Sequence, residues 1–553
     1  MLGVVTAATV VAAVAVGEPA VSNPGAANAP LSGRLRAPGG PFLTDRFGRV
    51  VFLHGVNVVF KHPPFEVYPA PHRPWNFGPA DARRIQRLGF DVVRLGIIWQ
   101  GLEPGTLGPN SPQVCTPGAP RNPHQLNRAI LLRYLDRVRE TVQLLAAHHI
   151  YTLIDMHQDV YSQVLGGEGA PRWAVCTDGV PPTRPPGRWS KVYGTRAADI
   201  AFAHFWAIDV VGNLQGQFDE VWGMVAQFFR HDPWVLGFDP FNEPFALTTA
   251  PVHDERFDAQ LQCFYAGTAH VGRPLHGAPR IRCPTSDPRT GVIPTILRHD
   301  PKALIFDEPD LYASRGLPTF LGPMNFPNLV FNVHIYCSDR NPRTGNPDNV
   351  ARCVREDTRS LTRRREDRAE MSSRAQPRGP AWFVSEWGAT SDSAFLRRVA
   401  AAMDAALVGW TYWSWKYYND PTGSADEALV RATGRLRRSA RVLSRTYAQA
   451  IAGVPLSMSF DVATGRFSLR YRAARRSRAP TLIAVPTSEH YAHGYCVRVV
   501  GGRVVSAPDS PDLVVTNGRG RRPAVVTVVV RAARRSREVD GQRLPVCSGA
   551  PSP

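Results

Sequence analysis

WVLGFDPFNEP, residues 234–244, begins as a short apolar run and ends in Asn242-Glu243-Pro244. A continuous apolar run of this length, closed by Pro, is how a strand buried on both faces reads. Seven other runs share the form: 50–60, 90–99, 150–160, 303–311, 329–337, 381–389 and 407–417. Helical patterns precede several of them, such as GPADARRIQRLG (78–89) before the second and LNRAILLRYLDRVRETVQLLAAHH (126–149) before the third. Eight buried strands alternating with helices predict an α/β chain folded as a (β/α)8 barrel.

Polar residues fall at one end of nearly every run: Asn57 and Lys61, Arg94, Asp155/His157/Asp159, Asn242/Glu243, His334/Tyr336, Glu386 and Trp413/Trp415. In such barrels the C-terminal strand ends carry the active site. Glu243 ends the fourth strand and Glu386, in Ser385-Glu386-Trp387-Gly388, ends the seventh. Glycosidic cleavage with retention needs two facing carboxylates, one to protonate the leaving oxygen and one to attack the anomeric carbon. Glu243 is expected to be the acid/base, its pKa helped upward by the charge of Glu386, and Glu386 the nucleophile. Asn242 would bond a sugar 2-hydroxyl, Tyr336 would hold the Glu386 carboxylate, and Arg94 would set a fixed positive charge beside it. Asp307, Glu308 and Asp310 compete for a catalytic or cation-binding role, but no His or Cys ligand pattern accompanies them, so neither metal nor cofactor is expected.

The chain of 553 residues is long enough for the barrel and a smaller partner. After about 450, short alternating strands with Gly, Pro and Asp turns predict a small antiparallel β-sandwich. The expected divisions are a signal-like segment at 1–30, the barrel at 31–450 and the sandwich at 451–553. The Ala/Val-rich start followed by small residues reads as a secretion signal or, uncleaved, an N-terminal anchor. Eight cysteines without a CxxC pair point to disulfides and an extracellular setting. Proximity pairs Cys263 with Cys283, Cys337 with Cys353 and Cys496 with Cys547, leaving Cys115 with Cys176. The net charge of +19 comes almost wholly from arginine, since only Lys61, Lys191, Lys302 and Lys416 are lysines. Coding bias explains this most simply, and attraction to anionic membranes or acidic glycans is the functional alternative. The arginines are scattered and no nucleic-acid motif accompanies them, so nucleic acid is not an expected partner.

The layout over most of 45–450 resembles glycoside hydrolase family 5. Within it, the third-strand run Asp155-Met156-His157-Gln158-Asp159-Val160-Tyr161, the segment from His204-Phe205-Trp206 to Asn242-Glu243-Pro244, and the following sandwich resemble the endoglycoceramidases. That resemblance implies hydrolysis of the bond between an intact glycan and ceramide, with a glycolipid at a membrane or micelle surface as the partner. It also implies that Lys61, His157, Asp159, Asn242, His334, Tyr336 and Trp413 or Trp415 contact the first sugar. Relatives acting on glucosylceramide, galactosyl lipids or steryl glucosides share these features, a β-glucanase or mannanase would use the same two glutamates, and an inert glycan- or lipid-binding barrel would keep the shape. Trp173, Trp189, Phe202, Phe205 and Trp206 either line a lipid groove or start a helix packed on the barrel. The stretches 101–123, 166–188 and the Arg-rich 338–380 read as long loops around the mouth.

Overall fold

The computed structural model describes residues 30–105, 126–206, 214–246, 255–267, 272–278, 283, 291–341, 344–474, 479–518, 525–539 and 542–547. The signal-like segment, Cys115 and most of 101–123 lie outside them. Eight parallel strands close into a barrel: β1 His54–Val58, β2 Val92–Ile97, β3 Tyr151–Met156, β4 Val235–Asp239, β5 Ile305–Asp307, β6 Leu329–Ile335, β7 Ala381–Trp387 and β8 Gly409–Tyr412. Trp410 of β8 registers against His54 of β1 and closes the ring. Every residue of these strands is buried, which is why each reads as an unbroken apolar run rather than an alternating one. Helices cover the outside, except between β5 and β6, where only the 3-10 turn Leu311–Arg315 stands in the helix position.

Part of the Arg-rich stretch 338–380, expected as a loop, is the helix Val350–Glu370. Asn349 caps it by accepting from the Arg352 amide. Its buried stripe holds Cys353, Asp357, Ser360, Leu361, Arg364, Asp367 and Arg368, spaced as one helix face. The polar members hid the helical period. Arg364 reaches the Leu317 carbonyl at 2.6 Å and Asp367 at 3.1 Å, and Arg368 reaches the Pro380 carbonyl at 2.8 Å.

Two antiparallel sheets form the second layer. One has the order Leu43–Thr44, Val50–Val51, Tyr447–Ile451, Thr481–Ala484, Asp512–Asn517, Gly502–Val504. The other runs Gly453–Asp461, Arg466–Ala473, Val525–Ala532, Tyr495–Val500. The first sheet thus takes two strands from the chain's beginning, with Val51 registered on Ala450 and Val50 on Ile451. Residues 43–51 and 447–450, assigned to the barrel segment in the sequence, build this sheet. Phe52, Tyr447, Phe460, Phe467 and Val528 share the core between the sheets. A separate cluster joins Leu43, Val51, Leu482 and Val514 to the first residues of barrel strands, including Val92, Tyr151 and Ala381. The second layer therefore plugs the barrel at the end opposite the C-terminal strand ends. Cys263–Cys283, Cys337–Cys353 and Cys496–Cys547 are bridged as expected. Cys176 is also disulfide-bonded.

Because Phe52 sits edge-on to Phe42, with ring centres 5.6 Å apart, inside the core of the second layer, Phe52→Ala should cost about 3–5 kcal/mol. Thermal unfolding checks this, and a loss under about 1 kcal/mol would mean that the leading strands are not integral to that layer.

Candidate active site

The C-terminal strand ends surround a cleft of about 190 Å3. Beneath it lies Arg94 of β2, whose guanidinium is fully buried. It donates to Glu386 Oε1 (2.6 Å), Asp155 Oδ1 (2.9 Å), Asp239 Oδ2 (3.0 Å), Glu308 Oε1 (2.9 Å), Asn242 Oδ1 (2.8 Å) and Asn57 Oδ1 (3.2 Å). One planar fork of five N–H groups can serve so many acceptors where an ammonium could not. Burial works against its charge, but the carboxylates of Asp155, Asp239, Glu386 and Glu308 outweigh that and hold it protonated. Expected as a fixed positive charge beside Glu386, Arg94 bonds that carboxylate from under the cleft, without lining it, and orients the groups that do.

His334 of β6 sits between the two glutamates. Its Nδ1 is 2.9 Å from Glu243 Oε1 and 3.5 Å from Glu386 Oε2, and its Nε2 is 3.1 Å from Glu308 Oε1. Burial lowers its pKa, yet Glu308 and Glu386 together raise it well above the ordinary histidine value. Oxygens of Glu243 and Glu386 come within 4.8 Å of one another around it. Tyr336 donates to Glu386 Oε2 at 2.9 Å, so both oxygens of that carboxylate have a donor.

Glu243 is held differently. Its φ of +44° is left-handed, a conformation uncommon for a residue with a side chain. Its amide donates to Glu308 Oε2 at 2.9 Å, and Gln158 donates to the Asn242 and Glu243 carbonyls at 2.9 and 3.1 Å. Burial pushes its carboxyl up to about 7, opposed by the hydrogen bond from His334 and assisted by the charge of Glu386. Burial, rather than Glu386, is the main cause. Glu386 is also raised by burial, but His334 and Arg94 pull it back toward the charged form.

On one flank of the cleft, Lys61 Nζ contacts Asp159 Oδ2 (2.5 Å), Thr422 Oγ1 (2.8 Å) and Asp420 Oδ2 (3.1 Å), and lies 4.5 Å from the centre of the Trp413 ring. Trp413 stacks on His157, centres 5.3 Å apart at 14°. His157 Nδ1 is 2.8 Å from Asp155 Oδ2, and burial together with Lys61 holds the imidazole neutral. Trp189, Tyr193 and Leu311 also line the cleft. They adjoin both Asp159 and Glu243: the Tyr193 hydroxyl accepts from the Val160 amide at 3.0 Å, its ring packs on Phe245 at 4.6 Å, and the Leu311 amide donates to the Pro244 carbonyl at 2.8 Å.

Of the expected sugar contacts, Lys61, His157, Asp159, Asn242, Tyr336 and Trp413 line the cleft with both glutamates. Trp415 does not. Strand β8 ends at Tyr412, so strand alternation no longer pairs Trp413 with Trp415, and the Trp415 indole is buried with its N–H on Asp81 Oδ1 at 3.0 Å. Of Trp173, Trp189, Phe202, Phe205 and Trp206, the last three are core residues of the helix Arg196–Trp206, and Trp189 alone of the five lines the cleft. Asp307, Glu308 and Asp310 do not converge: Glu308 joins Arg94 and His334, while Asp310 caps the turn at Tyr312. Sequence reasoning missed Asp239, Glu168, Thr422 and Asp420. Asp239 is the last residue of β4, three before Asn242, a readable signal, whereas the others come from loops with no periodicity.

Among the described residues, three groups have metal-ligand types close together, but each is chemically committed. Lys61 occupies the cation position beside His157, Asp159 and Glu168. His334 has both nitrogens on carboxylates between Glu243 and Glu386. In the third group, Cys176 is oxidised, beside Asp178 and His204.

A (β/α)8 barrel whose fourth and seventh strands end in glutamates meeting around one histidine is the architecture of a retaining glycoside hydrolase. The chain belongs to glycosyl hydrolase family 5: residues 75–419 match its cellulase family and 445–530 match the glycoside hydrolase family 5 C-terminal domain. It is 29% identical over 502 residues to endoglycoceramidase I of Rhodococcus hoagii, covering 87% of this chain and 86% of that one. It is 26% identical to an endoglycoceramidase of Cyanea nozakii, covering 88% and 91%. The solved structure of endo-glycoceramidase II from Rhodococcus sp. shares the fold at a TM-score of 0.67 and 24% identity, covering 89% and 99%.

Arg94→Met should leave several buried carboxylates without a counter-charge and cost about 3–5 kcal/mol. Arg94→Lys should recover little of it, because one ammonium cannot reach the same acceptors. Thermal midpoints of the two variants check this, and a wild-type midpoint for either contradicts the role given to Arg94.

Proposed function

We propose that this chain hydrolyses the β-glycosidic bond between glycan and ceramide in glycosphingolipids, with retention, and that it does so outside the cell at a membrane or micelle surface. The observation that carries the reading is the meeting of Glu243 and Glu386 around His334, with oxygens less than 4.8 Å apart, which leaves no room for the water that the roughly 6.5–9.5 Å gap of inverting enzymes holds. The mixed lining of the cleft supports the substrate class. Lys61, Asp159, His157 and Trp413 offer polar groups and a flat ring to a sugar, while Trp189, Tyr193 and Leu311 offer apolar surface beside the acid, where the aglycone leaves. The relatives named endoglycoceramidase, aligned over most of both chains, point the same way.

In this reading Glu386, charged and aimed by Arg94 and Tyr336, attacks the anomeric carbon as the bond to ceramide breaks. Glu243 gives its proton to the leaving oxygen. The glycosyl ester then opens when water loses a proton to Glu243 and attacks the same carbon, freeing Glu386. Asn242, fixed by Arg94 and by donating to the Gln158 carbonyl at 2.9 Å, would hold the 2-hydroxyl. Disulfides support an extracellular setting, with 1–30 as the proposed signal. Among the described residues no helix is long and apolar enough to cross a membrane.

Incubated with a ganglioside, the protein should release intact oligosaccharide and free ceramide. Stepwise release of terminal sugars would overturn the assignment. Glu386→Gln should abolish turnover on every substrate. Glu243→Gln should lose about 10²–10⁴-fold on the glycolipid but keep a fast first step on an aryl glycoside whose phenolate needs no proton. Equal losses on both substrates would remove Glu243 as the acid. The first step needs Glu243 protonated, and its carboxyl is raised to about 7. Wild-type kcat/KM should therefore fall as pH rises through about 7, and an unchanged rate up to pH 9 would contradict this.

A further inference from the structure

Residues 451–553 contain sixteen arginines, no lysine and six carboxylates, a formal +10 out of the chain's +19. Part of that charge is set in register. On the four-stranded sheet of the second layer, Phe467, Leu469, Tyr471, Val526, Val528 and Val530 point into the core. By strand alternation, their neighbours form the outer face. That face carries Arg466, Arg470 and Arg472 on one strand, Arg531 on the next and Arg498 on the edge strand, all exposed. Arg472 stands between Val454 and Val525, and Arg470 between Ser457 and Thr527, which in turn registers on Val500. Asp461, registered on Arg466, is the one carboxylate of the face among the described residues, and its oxygens are taken by Thr464 and the Ala463 amide. No carboxylate holds any of the five arginines among the described residues. Val454, Val500 and Val525 are 53, 54 and 42% exposed on the same strands.

We propose that this outer face is a docking surface for an anionic lipid bilayer, separate from the cleft. Two features together select the partner. Unpaired arginines on a flat sheet attract a layer of negative head groups. Exposed valines between them gain only where apolar chains lie just below those charges, which a soluble polyanion does not offer. The second layer meets the barrel at the end opposite the cleft, so docking by the outer face leaves the cleft open. The inference does not depend on which glycoside is cleaved.

The test is co-sedimentation of the full chain with glycolipid-free vesicles of phosphatidylcholine containing 30% phosphatidylglycerol, roughly the anionic content that gives such attraction, against phosphatidylcholine alone. The wild type should bind the anionic vesicles, less so as salt rises, and should not bind the neutral ones. At about fivefold per arginine, the combined Arg470→Ser, Arg472→Ser and Arg498→Ser variant should bind about 100-fold more weakly. Its hydrolysis of a water-soluble aryl glycoside should be unchanged, which also shows that it is folded. Val500→Ser with Val525→Ser should weaken vesicle binding while leaving binding to soluble polyphosphate as it was. Binding of the arginine variant equal to wild type, or no vesicle binding by the wild type, would overturn the proposal. Vesicle binding indifferent to the valines and fully competed by polyphosphate would also overturn it, in favour of a polyanion.

Discussion

A single buried guanidinium organises the catalytic end of this barrel. Arg94 takes carboxylates from the ends of β3, β4, β5 and β7 and ties them to Asn57 and Asn242. Several acids gathered at the mouth of a low-dielectric barrel would repel one another and take up protons without it. Burial and Glu308 raise Asp239, while His334 and Arg94 keep Glu308 charged, down to about 2. The strand ends can therefore carry acids of opposite protonation within a few ångströms, because burial raises some of them while His334 and Arg94 hold Glu308 charged.

That arrangement also separates two chemically identical side chains. Glu386 is gripped at both oxygens, by Arg94 and by Tyr336, and Arg94 and His334 favour its charged form against the burial that raises it. Glu243 is gripped through its backbone, in a left-handed conformation secured by Glu308 and Gln158, while burial leaves its carboxyl inclined to keep a proton. His334, charged and shared between them, links the two states. Glu308, next to the fifth strand, does no chemistry in this scheme, yet it meets Arg94, His334 and the Glu243 amide.

The barrel's two ends have different tasks. The end with the cleft is polar and charged. The other is sealed by aliphatic residues shared with a sheet built from both termini of the described chain. Residues 43–51 pair with residues 447–451, so the second layer is stitched to the barrel at its start as well as its finish. The four-stranded sheet, packed on the far side of that core, turns its exposed arginines and valines outward, with the Cys496–Cys547 bridge on its edge strand.

Eight strands, their order, the antiparallel second layer and the two glutamates were legible in the residues alone. Burial on both faces forces each barrel strand to be apolar until its last residues, so the chemistry stands out at the strand ends. The helix Val350–Glu370 was not legible, because Arg364 and Arg368 occupy its inward face and satisfy themselves on carbonyls distant in sequence. Trp415 was misplaced because alternation stops where β8 stops. Thr422, Asp420 and Glu168 reach Lys61 from loops, where no period links position to direction. Sequence alone determined which residues are apolar and which carboxylates end strands, since those follow from local pattern. Which carboxylate holds a proton, which is held charged and which arginine lies beneath them were decided only by tertiary structure, because burial and charge pairing depend on neighbours that the chain brings from hundreds of residues away.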